Sequence, residues 1–384
     1  MQLYKLNQLL LDMHSGGTPD TSEPEYWNGD YKWLASGETR QRFIDNTESR
    51  ITQLGIEKSS TKLAKKNDVV MACAGQGKTR GQVSFLLDDM YINQSIIAMT
   101  TDEKILHPLY LFYNLSGRYN ELRGSSDASS TRGSITIKSL KKLAMLIPNI
   151  ESQKNITDIL IAYDNLIENN NKRICLLEQM AENLYKEWFV RFRFPGYEDV
   201  EFESGIPKEW KICRIDQLSK IKAGGDAPDD STKEITDECS IPIYSNGIEN
   251  EGLYGFTSKA KINKPSITIS ARGTVGYTCL RRVSYTPIVR LICIIPHEEK
   301  LANWLFYYFK RTIVIANGTS QQQITIPMMS REKVLLPTND LIQKFHEYST
   351  CYLDEIDSLK AQNSNLEKQR DMLLPRLMSG ELEV

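Results

Sequence analysis

Long apolar runs are missing from this chain. No stretch of its 384 residues approaches the roughly 20 apolar residues of a membrane span, and its mean hydropathy is −0.40. The opening MQLYKLNQLLLDM has neither the charged start nor the long apolar region and small-residue cleavage site of a secretory signal. A soluble cytoplasmic protein with no membrane association is the expectation. Cysteine is sparse and unpatterned. Cys73, Cys175, Cys213, Cys239, Cys279, Cys293 and Cys351 are scattered, odd in number and without a CxxC. Most lie in apolar runs and fit small buried side chains in a reducing compartment. The four histidines (His14, His107, His297 and His346) show no zinc spacing, so no metal site is expected. A net charge of −2 argues against a generic basic coat for nucleic acid. It leaves room for a DNA reader with locally basic loops.

Catalytic signatures are also missing. Gly75-Gln76-Gly77-Lys78-Thr79 hints at a phosphate-binding loop. However, Ala72 stands where that motif needs glycine, and the strand-like VSFLL follows where it needs a helix. Pro228-Asp229 and Glu298-x-Lys300 lie too far apart for a nuclease pattern. No NPPY- or DPPY-type motif and no S-adenosylmethionine glycine loop occurs. The chain on its own is expected to be catalytically silent.

What is present is a heptad seam. Ile156, Leu160, Tyr163, Ile167, Asn170, Ile174, Leu177, Ala181, Leu184 and Trp188 recur at alternating steps of four and three. Such a run, about five heptads, predicts a long helix packed along one stripe, on the order of 60 Å in length. Shifted by 189 residues, the pattern returns as Phe345, Ser349, Tyr352, Ile356, Leu359, Asn363, Leu366, Arg370 and Leu373. Ile135-Thr136-Ile137 and Ile147-Pro148 precede the first copy, and Ile324-Thr325-Ile326 and Leu336-Pro337 precede the second. The ITI segments read as strands. Internal duplication of this kind governs the fold. With the two helices antiparallel and their ends flush, Trp188 faces Phe345, Ala181 faces Tyr352, Leu184 faces Ser349, Leu160 faces Leu373, and Asn170 faces Asn363. A facing asparagine pair is expected to fix the register.

The fold class expected is α+β: two similar mixed α/β domains separated by two long helices in an antiparallel coiled coil with a pseudo-twofold axis. The predicted divisions are a first domain over 1–150, a spacer helix over 151–195, an acidic linker over 196–209, a second domain over 210–338, and a C-terminal spacer helix and tail over 339–384. In the first domain, Tyr4 to Met13 reads as a short helix or turn, Pro108 to Ser116 as a helix and Ser125 to Gly133 as a polar loop. Asp68 to Ala74, Val83 to Leu87 and Ile92 to Met99 read as strands. Ala223-Gly224-Gly225 echoes Ser15-Gly16-Gly17, and Ile267 to Gly276 echoes Val70 to Gly81.

This order of parts, with these residues, resembles the specificity subunit of type I restriction–modification enzymes. The resemblance covers essentially the whole chain. It is carried by the ITI, (I/L)P and Gln-Lys repeat (Gln153-Lys154 and Gln343-Lys344), by Gly205-Ile206-Pro207-Lys208-Glu209-Trp210, and by the tail from Arg370 to Leu382. The first domain lacks the P-x-x-W approach, and the second copy has one extra residue between Pro337 and Gln343. The resemblance implies a non-catalytic DNA-binding subunit of a phage-defence system. Each domain would read one half of a bipartite double-stranded target, and the helix pair would set the gap and dock two methyltransferase subunits. Two restriction (translocase–nuclease) subunits would complete the enzyme. Any S-adenosylmethionine, ATP and magnesium would belong to those partners and none to this chain. Two readers on one face of B-DNA need half-sites about 34–36 Å apart, which a helical rod of this length can supply. The alternative is a coiled-coil scaffold whose globules bind proteins.

Base reading calls for Arg or Lys aimed at guanine and Asn or Gln aimed at adenine. The candidates are Gln76, Lys78, Arg80, Arg123 and Arg132 in the first domain, and Ser245, Asn246, Arg272, Gln321 and Gln322 in the second. A solvated or structural role is the competing reading for each. Lys138, Lys141 and Lys142 read as a solvated face, with phosphate contact as the alternative.

Overall fold

The computed structural model describes residues 1–75, 78–127, 133–316, 324–382 and 384. These form two compact units: Met1–Asn170 with Ala361–Val384, and Asn171–Lys360. Each unit contains half of each long helix.

In the first unit the apolar runs near residues 69 and 83 form the middle of a sheet. Its strand order is Leu10–Ser15, Ile96–Thr101, Val69–Ala72, Val83–Leu86, Phe43–Ile44. Because side chains alternate across a strand, Val69, Met71, Val83, Phe85, Ile97 and Met99 enter one core. Val70, Leu86, Ile96 and Ala98 enter another, with Leu34, Ile44 and Ile92. Apolar residues without polar alternation are therefore the mark of a sheet covered on both faces. The first core is closed by the helix Pro108–Gly117, whose Tyr110, Leu111, Phe112, Tyr113 and Leu115 are all buried. Ile156 and Leu160 of the first long helix and Leu374 and Leu377 of the second complete it.

The second unit repeats the plan. Its main sheet runs Ser219–Ala223, Ile292–Pro296, Ser266–Ile269, Thr278–Arg281. Ile267, Ile269, Ile292 and Ile294 face a core shared with the helix Leu301–Ala316 and with Ala181, Tyr185, Trp188, Ile342 and Phe345 of the long helices. Cys293, Tyr285 and Ile262 pack on the other side. Each unit also has a two-stranded ribbon leading into a long helix: Gln2–Lys5 with Ala144–Ile147, and Lys211–Arg214 with Lys333–Leu336.

The long helices are Ile150–Tyr185, continued by a π-helical turn over Lys186–Val190, and Asn339–Ser379. Every residue of both seams is buried or half-buried. Within each unit the helices run antiparallel. In the first, Asp164 pairs with Arg370 and Asn170 with Asn363. In the second, Arg173 pairs with Glu355, and the Trp188 and Phe345 rings lie 6.1 Å apart. The Asn170 Nδ2 donates to Asn363 Oδ1 at 2.9 Å and to Gln362 Oε1 at 2.6 Å.

Two local expectations are corrected. Tyr4 to Met13 is not helical: it ends one strand, passes through a single 3-10 turn and begins another, pairing with Ala144–Ile147 and Ile96–Thr101. The alternation of apolar residues there is short enough to suit either element. The ITI segments are not strands. They lead into the short helices Ile137–Leu140 and Ile326–Arg331. Thr136 is an N-cap whose Oγ1 accepts the Ser139 N–H at 3.1 Å, which outweighs β-branched propensity. The acidic connector contains a small hairpin, Phe202–Glu203 with Ile206–Pro207. Trp210 stacks on Phe194 at 5.6 Å just beyond it.

Candidate nucleic-acid interface

The two Gly-rich loops each follow an interior strand of a main sheet and lead into its neighbour. In the first unit the loop after Val69–Ala72 turns through Gly75 (φ +121°) and Gly81 (φ +87°). Lys78 is exposed at its crown. Its carbonyl accepts the Tyr119 Oη–H at 2.8 Å, and the Tyr119 Oη in turn accepts from Arg123 Nη1 at 2.8 Å. Arg80 is buried and donates from Nη1 to the Gly133 carbonyl at 2.5 Å. Arg80 and Arg123 thus build the loop, while Lys78 is displayed by it. Tyr119 was not identifiable from sequence, because only the fold brings it against a carbonyl 41 residues away. Gln76 and Arg132 lie outside the described residues.

In the second unit the loop after Ser266–Ile269 turns through Gly273 and Gly276, both left-handed. Arg272 is exposed there. Ser245 is half-buried, and its N–H bonds to the Gly252 carbonyl at 2.8 Å. Asn246 is committed internally: Oδ1 accepts the Ala271 N–H at 2.8 Å and Nδ2 donates to the Val289 carbonyl at 2.7 Å. Gln321 and Gln322 lie outside the described residues.

The neighbouring arginines divide sharply. Arg281 is buried, its guanidinium 3.6 Å from the Tyr244 ring centroid, donating to Thr268 Oγ1 at 2.9 Å and to the Glu251 carbonyl at 2.5 Å. Burial works against ionisation of Glu251, but Lys360 and Arg281 outweigh it and hold the carboxyl below its usual range. Arg282 pairs with Asp354 and with Asp357 of the second long helix. Arg272 and Arg290 are exposed, and their guanidinium groups take no hydrogen bond or ion pair among the described residues. Arg290 carried no sequence signal. Its display depends on left-handed backbone at Val289 and Arg290 (φ +52° and +58°), which β-branched residues seldom adopt.

Among the described residues no group of His, Cys, Asp and Glu is placed to hold a metal, and no helix is long and apolar enough to cross a membrane. What the two loop clusters offer is displayed cations on fastened backbone, mounted on a rigid β scaffold. That is the equipment of a recognition protein. A family model described as "Type I restriction modification DNA specificity domain" matches residues 1–179 and 207–367. The chain belongs to this family of non-catalytic DNA-specificity subunits.

Relatives agree. The chain is 26% identical to the type I restriction enzyme MjaIX specificity subunit of Methanocaldococcus jannaschii, an alignment covering 97% of this chain and 91% of that one. It is 23% identical to the HindI specificity subunit of Haemophilus influenzae, covering 84% and 88%. In fold it is similar to the crystal structure of the type I restriction–modification S subunit from M. genitalium, with a TM-score of 0.60, 17% identity, and coverage of 98% and 95%.

Proposed function

We propose that each β unit reads one half of a bipartite double-stranded DNA target and that the paired long helices set the unread gap. In this reading the helix pair also docks two methyltransferase subunits. Two restriction subunits join them in the full enzyme, which works in the cytoplasm. S-adenosylmethionine, ATP and magnesium serve those partners. Lys78 and Arg272 act as direct contacts, while Arg80, Arg123, Ser245 and Asn246 shape the loops that carry contacts.

The observation that carries this reading is the repeated construction of the units. Each mounts one Gly-rich loop on a sheet sealed by the N-terminal half of one long helix and the C-terminal half of the other. A single chain built this way repeats the logic of a symmetric dimer, whose halves read half-sites on opposite strands. No observation favours the protein-binding scaffold.

Long-read methylation mapping of cells expressing the chain with its methyltransferase partner tests the proposal. The expected result is one bipartite motif with a methylated adenine on each strand. A continuous motif, or no motif dependent on this chain, would overturn it.

A further inference from the structure

The residue type of Asn246 suggests an adenine reader, yet both ends of its amide are spent inside the protein. Oδ1 holds the Ala271 N–H and Nδ2 holds the Val289 carbonyl. Each of these backbone groups adjoins an exposed arginine, Arg272 after Ala271 and Arg290 after Val289. The turn bearing Arg290 is braced from its far side as well. The Val289 N–H donates to the Gly225 carbonyl at 2.8 Å, and the Arg290 N–H to the Gly224 carbonyl at 3.0 Å. Gly224 approaches so closely that an added Cβ would lie 2.7 Å from backbone atoms of Ile288. Backbone held this firmly in the left-handed region implies that the turn is being kept for what it displays.

We infer that Asn246 is a positioning residue and Arg290 a DNA-contacting residue at the second half-site. One side-chain amide fastens the backbones behind Arg272 and Arg290, so that two unpaired guanidinium groups present a forked donor surface to acceptor atoms of duplex DNA. This rests on the DNA-reading role proposed above.

The test uses the full chain purified with its methyltransferase partner and a duplex carrying the mapped target, followed by fluorescence anisotropy over a range of salt. R290A and R272A each weaken binding by about tenfold or more, as expected for a lost bidentate contact. N246A weakens it comparably, and the triple variant binds no worse than R272A/R290A, because Asn246 acts only through the two arginines. If Arg290 meets guanine, the loss is confined to duplexes keeping that base pair. If it meets phosphate, every duplex weakens alike and the salt slope falls by about 0.9. Either result supports the inference. R290A, an exposed change that leaves folding intact by circular dichroism, overturns it by binding like the parent. N246A overturns it by adding a full further loss to R272A/R290A, since Asn246 would then touch DNA itself. A parent complex that ignores duplex DNA removes the proposed function and this inference together.

Discussion

Asp164 shows how much one side chain can hold. Its carboxylate is buried and accepts from Arg370 Nη1 at 2.5 Å, Arg42 Nη2 at 3.2 Å and Tyr113 Oη at 2.6 Å. Arg42 in turn lies 4.9 Å from the Phe112 ring centroid and 5.6 Å from that of Tyr113. One acid thereby ties the sheet edge, a domain helix and both long helices of the first unit. Asp164→Asn would take the counter-charge from Arg42 and leave Arg370 only the exposed Asp371, and a cost of about 3–5 kcal/mol is expected for breaking a buried pair. Urea unfolding of the variant checks this, and a loss below about 1 kcal/mol would rule out the cluster as a main tie. Arg370 is visible in the sequence as a charged member of the second seam. Its partner is not, because Asp164 sits one position off the seam and looks like any solvated acid.

At the scale of elements, equal motifs do unequal work. Gln153 is fully buried: its Nε2 donates to the Ile105 and Pro148 carbonyls, both at 2.9 Å, and its Oε1 accepts the His107 N–H at 2.8 Å. Gln343 is exposed, and among the described residues its side chain bonds only along its own helix, to Glu347. The extra residue before it rotates it by about 100° around the helix, and Ile342 takes the buried position instead. Motif matching detected the insertion, but its consequence needed the helix start. The asparagine pair behaves in the opposite way: heptad spacing alone brought Asn170 and Asn363 together. As the proposed register key, the pair predicts that Asn170→Leu costs about 1–3 kcal/mol by removing the buried hydrogen bond to Asn363 Oδ1. N170L/N363L should regain most of that in thermal melts, because an apolar pair suits the seam. A double variant as weak as the two single losses combined would deny that the two amides serve each other.

For the whole molecule, the helix pair as a ruler makes a numerical prediction. One heptad inserted beside Asn170 in the first long helix, with another beside Asn363 in the second, lengthens each by about 10 Å. At about 3.4 Å per base pair, the unread gap should grow by about three base pairs, with both half-sequences unchanged. Methylation mapping reads this directly, and altered half-sequences would refute the ruler.

The amino-acid sequence by itself determined the long helices, their opposed pairing, the duplication and the sheet-forming runs. All of these are periodic or repeated, so each signal is restated many times along the chain. Only the tertiary structure decided which polar side chains are displayed and which are consumed. Asn246 is spent on backbone groups 25 and 43 residues away, and Arg290 is held out by a turn that no local propensity favours. Whether a hydrogen-bonding group is free for DNA depends on partners brought in from distant parts of the chain, and spacing along the sequence carries no record of them.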